Sequence, residues 1–343
     1  MKRKFSILFL LLISLILISY KLILKENNTS KINSDNIPNI NSNNTEDEEK
    51  YLTKYTGEES SKEIINLTPF MAIIENSKDS RPQSGLSQAD IIYETSAEGG
   101  IPRFIAIFQK NPPDIIGPIR SVRPYFIDIA QENNLPFAHC GGSSDALNEI
   151  SSNNSLMSIN EISNRKYFWR DKNRKAPHNL YTSKNLIYQY ISDKNLLISE
   201  SDFYSFDKDY YKQDSLPRAH SIKITINKYY NTSYEFKDGG YIKSMDGVIS
   251  IDANNNEPLN FSNIIIQKTN IKLSDDNLHL DINLEGNGDA LILSNGKLIS
   301  GTWKHISNNE NPFIYDDKGN EIKLSPGKTI WHILDYNTPI EIK

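Results

Sequence analysis

Between Ser221 and Leu334 the sequence runs through "SIKITIN", "TSYEFK", "VISID", "NIIIQKT", "LHLDINLE", "DALILS", "KLISGTW", "FIYDD", "EIKL" and "TIWHIL". These runs are short and rich in β-branched and aromatic residues, which pack well on a pleated surface. Turn signals separate them at Asp238-Gly239-Gly240, Asn295-Gly296 and Lys318-Gly319-Asn320. The Asn-Gly pair supplies the two left-handed residues that a tight hairpin requires. Residues 215–343 are therefore predicted to form an antiparallel β domain, a sandwich or partial barrel, without a strict internal repeat.

The preceding half reads differently. "PFMAIIEN" is a buried strand, and "ADIIYETS" and "RFIAIFQ" are strands joined through "AEGGIP" as a hairpin. A helix is predicted from Tyr125 to about Gln131. "LPFAHCGGSSDALNEI" reads as strand, Gly-Gly turn and a helix capped by Ser143 or Ser144, and "KNLIYQYI" as a helix. Interleaved strands and helices make residues 62–200 an α/β domain, with 201–214 as connector, so the chain as a whole is α+β.

The N-terminus sets the compartment. Lys2, Arg3 and Lys4 precede an apolar run from Phe5 to Tyr20, which Leu22–Leu24 extend past Lys21. A cleavable signal peptide would end in a small-x-small site, and no such pattern follows. With Lys21 snorkelling, residues 1–25 read as an uncleaved signal anchor whose basic flank keeps the N-terminus cytoplasmic and the bulk of the chain outside. Residues 26–61 are dominated by Asn, Ser, Thr and Glu and are read as a disordered linker, unable to bury enough surface to offset ordering entropy.

Composition excludes several classes. A formal net charge of −5 disfavours nucleic acid as a partner. One cysteine among 343 residues rules out an intramolecular disulfide and any zinc site needing several thiolates. The six histidines lack helical metal-ligand spacing, so no metal and no cofactor is expected. "PGKT" at 326–329 lacks the earlier glycine of a nucleotide-binding loop, and Ser163-Asn164-Arg165-Lys166 matches S-x-x-K without its companion motifs.

Four residues are catalytic candidates. Glu94 and Glu98 flank the first hairpin turn and could act as an acid/base pair, or be turn charges paired with Arg103 or Arg81. Cys140 precedes a helix start, where a thiol pKa falls, and His178 could approach it. His139 points to the opposite face of the strand, and a buried structural thiol is the competing reading of Cys140. A binding module is the expectation over an enzyme.

Arginines carry that expectation. Their planar fork matches carboxylate and phosphate, and Arg81, Arg103, Arg120, Arg123, Arg170 and Arg174 all fall in the first half of a lysine-rich chain. Backbone N–H groups at Gly141, Gly142 and Ser143 would add an anion cradle. "WRDKNRKAPHNLYTS" mixes Arg170, Arg174 and His178 with aromatics, as a glycan or peptide surface would. Pro124 pushes Arg123 out of the helical region, so Arg120 and Arg123 can meet only through a defined loop.

"RPQSGLSQADIIYETSAEGGIPRFIAIFQ", "IGPIRSVRPYF" and "HCGGSSDALNEI", in that order, resemble the YerB-like family of bacterial envelope lipoproteins, a domain of unknown function. "NGKLISGTWKH" and "YDDKGNEIKLSPGKTIWHIL" are similar to that family's C-terminal domain. The resemblance implies a membrane-tethered envelope protein and supplies no catalytic residues. Two departures stand out. No cysteine follows the apolar segment, so lipidation is not implied, and Tyr241 with Lys243 stands where the family has an aromatic–arginine pair. The expectation is a tethered extracytoplasmic protein of a Gram-positive envelope that binds an anionic wall polymer, peptidoglycan or teichoic acid. A wall-modifying hydrolase or transferase and an interaction subunit of an envelope complex are the alternatives.

Overall fold

The computed structural model describes residues 50–199, 204–306 and 313–343. The predicted signal anchor and linker residues 26–49 lie outside the described residues. Among the described residues no helix is long and apolar enough to cross a membrane.

Strands are numbered along the chain as β1 (Phe70–Glu75), β2 (Ile91–Ser96), β3 (Pro102–Phe108), β4 (Phe137–His139), β5 (Ser158–Asn160), β6 (Ser221–Thr225), β7 (Asn231–Lys237), β8 (Gly240–Met245), β9 (Asn263–Thr269), β10 (Gly286–Ser294), β11 (Lys297–His305), β12 (Phe313–Tyr315), β13 (Thr329–Asp335) and β14 (Ile340–Ile342). The main helices are α1 (Pro124–Asn133), α2 (Ser144–Ser152) and α3 (Lys184–Asp193). The predicted hairpin and the three predicted helices are all present, and Ser143 is the residue that caps α2.

One large sheet has the spatial order β12-β11-β10-β9-β13-β2-β3-β1-β4-β5. Its middle strands are buried on both faces. In β1, Phe70, Ala72 and Ile74 join one core cluster, while Met71 and Ile73 join the other. The same division recurs in β13, with Ile330 and Leu334 against Trp331 and Ile333. Each such side chain contributes roughly 1.5–3 kcal/mol when removed from water. Helices α1 and α2 cover one face through Phe126, Ile127, Ala130 and Ala146. The other face carries α3 and a smaller antiparallel sheet in the order β8-β7-β6-β14, with Ile222, Ile224, Tyr234 and Tyr241 inward.

The α+β class is observed, but the second half is neither purely antiparallel nor separate. Strand β13 runs parallel to β9 on one side and parallel to β2 on the other, with His332 opposite Glu94. A strand apolar on both faces needs neighbours on both edges, and β13 takes one from each half of the chain. Of the connector expected at 201–214, the described residues from 204 onward also contribute to the core. Tyr211 is buried, Tyr204 Oη lies 3.2 Å from Tyr93 Oη, and Phe206 bridges to Leu324. Nor does the ordered chain begin at 62: Tyr51–Leu52 pairs with Glu59–Ser60, Tyr55 is buried, and Gly57 lies against the Phe206 ring, too close for a Cβ.

Beneath β2 and β13 lies a buried polar cluster. Lys243 Nζ on β8 donates to Glu94 Oε2 at 2.6 Å and to Tyr234 Oη at 2.9 Å, and Tyr234 Oη lies 2.7 Å from His332 Nε2. Asn76 Nδ2 donates to the second Glu94 oxygen at 2.9 Å. Lys243 and Glu94 are 0% and 1% exposed, so both charges depend on each other. Burial, and then the Lys243 charge, holds the His332 pKa well below its usual value, so the imidazole is neutral. Removing one partner of a buried pair leaves an uncompensated charge. Lys243→Met should therefore cost about 3–5 kcal/mol, and adding Glu94→Leu should restore most of it, as read from urea-unfolding midpoints.

Candidate functional site

Strands β1, β4 and β5 are parallel neighbours. Their carboxyl ends therefore share one edge of the sheet, the place where open α/β sheets bind ligands. Three reactive side chains end or follow these strands: Glu75, Cys140 and Glu161. The stretch "IGPIRSVR" is threaded across that edge. Arg120 N donates to Ile73 O, Cys140 N to Arg120 O, and Val122 N to Gly141 O. The loop thus lies between β1 and β4, and the Arg120 backbone is fixed by both. A short ribbon, Trp169–Arg170 with Leu180–Tyr181, closes over it through Ile119 N to Leu180 O.

Glu75 is the centre of the arrangement. It is buried, accepts from Ser77 Oγ at 2.8 Å and lies 2.9 Å from His178 Nδ1. The Arg120 Nε is 3.4 Å from the same oxygen that faces His178 but lacks hydrogen-bond alignment. The Arg120 side chain is 31% exposed and that of His178 20%. Neither the terminal nitrogens of Arg120 nor Nε2 of His178 has a hydrogen-bond partner among the described residues. A carboxylate set behind an imidazole fixes its ring orientation and, where Nδ1 carries the proton, its tautomer. Alongside, Arg170 Nη1 donates to Asn179 Oδ1 at 3.1 Å, and its Nη2 lies 3.8 Å from Glu161.

The other predicted site residues have partners within the chain. Glu94 belongs to the buried cluster with Lys243, and Glu98 holds Arg123 and, at 3.4 Å, Arg103, so the two carboxylates are not an acid/base pair. Arg123 adopts φ −134° and ψ 159°, as Pro124 requires. Arg103 and Arg123 are nearly buried, and each also donates to a carbonyl, Ser121 O and Val122 O. Arg81 reaches across to Asp246 at 2.9 Å and lies over the Tyr230 ring. Arg174 donates to Pro82 O and Tyr181 Oη, tying the ribbon to the 79–82 loop. The Gly-Gly turn is not an open anion cradle. Gly141 N donates to Asn160 Oδ1 and Ser143 N to Val122 O, while Ser143 Oγ accepts from Ala146 N as the cap of α2. Gly141 is left-handed (φ 62°), and a Cβ at Gly142 would come within 2.7 Å of Val122.

Cys140 is also not prepared as a nucleophile. Its Sγ lies 3.4 Å from Glu161 Oε2, and burial followed by the Glu161 carboxylate pushes the thiol pKa up. His139 cannot serve it. That ring is buried between Gly141 O and Ser158 Oγ, and burial lowers its pKa to about 4. Reading the sequence had missed Glu75 and Glu161. Glu75 had one visible signal, a single acid closing the otherwise apolar run "FMAIIE". Cys140 should alkylate with iodoacetamide more slowly at pH 7.5 than free cysteine. Glu161→Gln, which removes the repelling charge, should raise that rate several-fold.

Comparison with known proteins places this arrangement in a lineage. Residues 55–197 match the model described as "Protein of unknown function (DUF3048) N-terminal domain", and residues 220–331 match the corresponding C-terminal domain. The presumed lipoprotein YerB of Bacillus subtilis (strain 168) is 31% identical over 288 residues, covering 82% of this chain and 85% of YerB. The crystal structure of the Bacillus subtilis YerB protein superposes with a TM-score of 0.77 at 30% identity, covering 85% of this chain and 99% of that one.

Proposed function

The chain belongs to the DUF3048 family, and from that premise we propose that it is a membrane-tethered envelope protein whose carboxyl-edge site binds an anionic cell-wall ligand. The tether is residues 1–25, with the bulk of the chain extracytoplasmic. Support comes from the basic flank and apolar run of that segment and from the lipoprotein name of its relative YerB. The single cysteine is Cys140, so the tether rests on the apolar run and not on a lipidated thiol.

One observation carries the binding reading. Arg120 is held by its backbone between two strands and is backed by Glu75, and its part-exposed side chain has terminal nitrogens without a partner among the described residues. A guanidinium ordered in this way has already lost much of its conformational freedom, so an incoming carboxylate or phosphate gains a bidentate partner at lower entropic cost. His178 shares the Glu75 carboxylate with Arg120, and Arg170 at the neighbouring Glu161 adds a second guanidinium on the same edge. Peptidoglycan carboxylates and teichoic-acid phosphates both satisfy that chemistry. Arg120→Ala should reduce co-sedimentation of the protein with purified Gram-positive cell wall about tenfold, a loss of one bidentate charged contact. Unchanged sedimentation of a folded variant would sink the reading.

A second reading, wall hydrolysis, has the Glu75–His178 contact behind it, because an imidazole oriented by a carboxylate is a competent general base. Water would be the attacking group, since the Cys140 thiol is held protonated. Incubation with muropeptides followed by mass spectrometry separates the two readings. The binding reading expects intact substrate from the native chain, and the hydrolytic one expects cleavage that His178→Ala abolishes.

A further inference from the structure

At the opposite edge of the large sheet, before the amino ends of β2, β9 and β13, lies a cleft of about 480 Å³ lined by both halves of the chain. Lys328 of the "PGKT" turn enters it directly ahead of β13. Its Nζ donates to Ser87 O at 2.8 Å, and no carboxylate lies within ion-pair distance of it among the described residues. Burial lowers the Lys328 pKa, and Glu58, Glu257 and Asp90 act on the ammonium only at longer range. Of these, Glu58 is already engaged by Lys110 at 2.8 Å. Asp90 is buried and accepts from the backbone of Gln109 and Lys110. Glu257 and Asp238 sit exposed at the rim and hold no cation among the described residues.

The walls are shaped as well as charged. Asn260 Oδ1 is buried without a hydrogen-bond partner, and a Cβ on Gly240 would come within 2.2 Å of it. A Cβ on Gly327 would meet Ser262 Oγ at 1.9 Å. Glycine at both positions lets the Asn260 and Ser262 side chains pack directly on the backbone of the wall, and Asn260 Oδ1 is left without a donor among the described residues. A desolvated ammonium lacking a counter-ion and a buried carbonyl lacking a donor are each costly alone.

An occupant that compensates both offers an acceptor to Lys328 and a donor to Asn260 Oδ1, and the exposed carboxylates of Glu257 and Asp238 at the rim favour a positive charge on its other end. A simple anion at Lys328 would meet the repulsion of Glu257 and Asp238. A simple cation at the rim would meet Lys328. The volume is that of a pocket for a small molecule. We infer that this cleft binds a small zwitterion, an amino acid or short peptide, with its carboxylate on Lys328 and its ammonium toward Glu257. This site stands independently of the edge around Arg120.

The full chain in detergent micelles, titrated calorimetrically at pH 7 with dialanine, acetate or methylammonium, tests it. Dialanine should bind, with both single-charge probes at least about tenfold weaker. Lys328→Met keeps the aliphatic stem and loses the ammonium with its bond to Ser87 O, so its urea-unfolding midpoint should fall only slightly. Its dialanine affinity should drop about tenfold. Glu257→Gln, on the exposed rim, should weaken dialanine and, by removing a repelling charge, strengthen acetate. Absence of dialanine binding, acetate binding as tight as dialanine, or undiminished dialanine affinity in Lys328→Met would each overturn the assignment.

Discussion

The insertion of β13 between β9 and β2 is the constraint on which the rest of this molecule depends. It joins strands from both halves of the chain into one sheet, and its parallel register brings His332 opposite Glu94. Glu94 in turn meets Lys243 from the smaller sheet, with both side chains almost fully buried. A buried ion pair of this kind adds little net stability, because desolvation offsets most of the attraction. Its effect is on specificity: any other docking of the two sheets would strand a charge. The two edges of the large sheet, where both candidate sites lie, inherit their geometry from this junction.

The arginines show how partners change a reading based on residue type. Six of the guanidiniums in the first half of the chain suggested a broad anion pocket. In the fold, Arg103 and Arg123 hold Glu98, Arg81 holds Asp246, and Arg174 fastens two loops. Those groups build the edge without being available to a ligand. Arg120 differs because its backbone carries its structural role, donating to Ile73 O and accepting from Cys140 N. Its side chain is left with one carboxylate behind it and solvent in front.

Local chemistry was legible without coordinates. The hairpin between β2 and β3, the presence of α1 to α3, the serine cap of α2 and the extended Arg123 ahead of Pro124 follow from propensities and sterics acting within a few residues. The run of β segments in the second half was equally clear. Membership of the chain in its family was visible from ordered motifs, before any comparison. Pairing between distant strands was not, because hydrophobic alternation states which faces are buried and not which strand lies alongside. The same gap hid the core role of the 204–211 segment, whose aromatics look like a surface connector until Tyr93 and Leu324 are placed beside them.

The sequence by itself determined the α+β class, the local turns and the presence of many cations and few thiols, since these depend on composition and short-range conformational preference. Only the tertiary structure decided which charges are spent and which are open. Glu94 and Glu98, four residues apart, serve different cations. Glu75 and His178, a hundred residues apart, share one hydrogen bond. Lys328, in a turn that resembles a nucleotide loop only in name, stands without a counter-ion among the described residues, in a cleft made by both halves. Electrostatic availability is set by burial and by the nearest opposite charge, and both are properties of the packed chain.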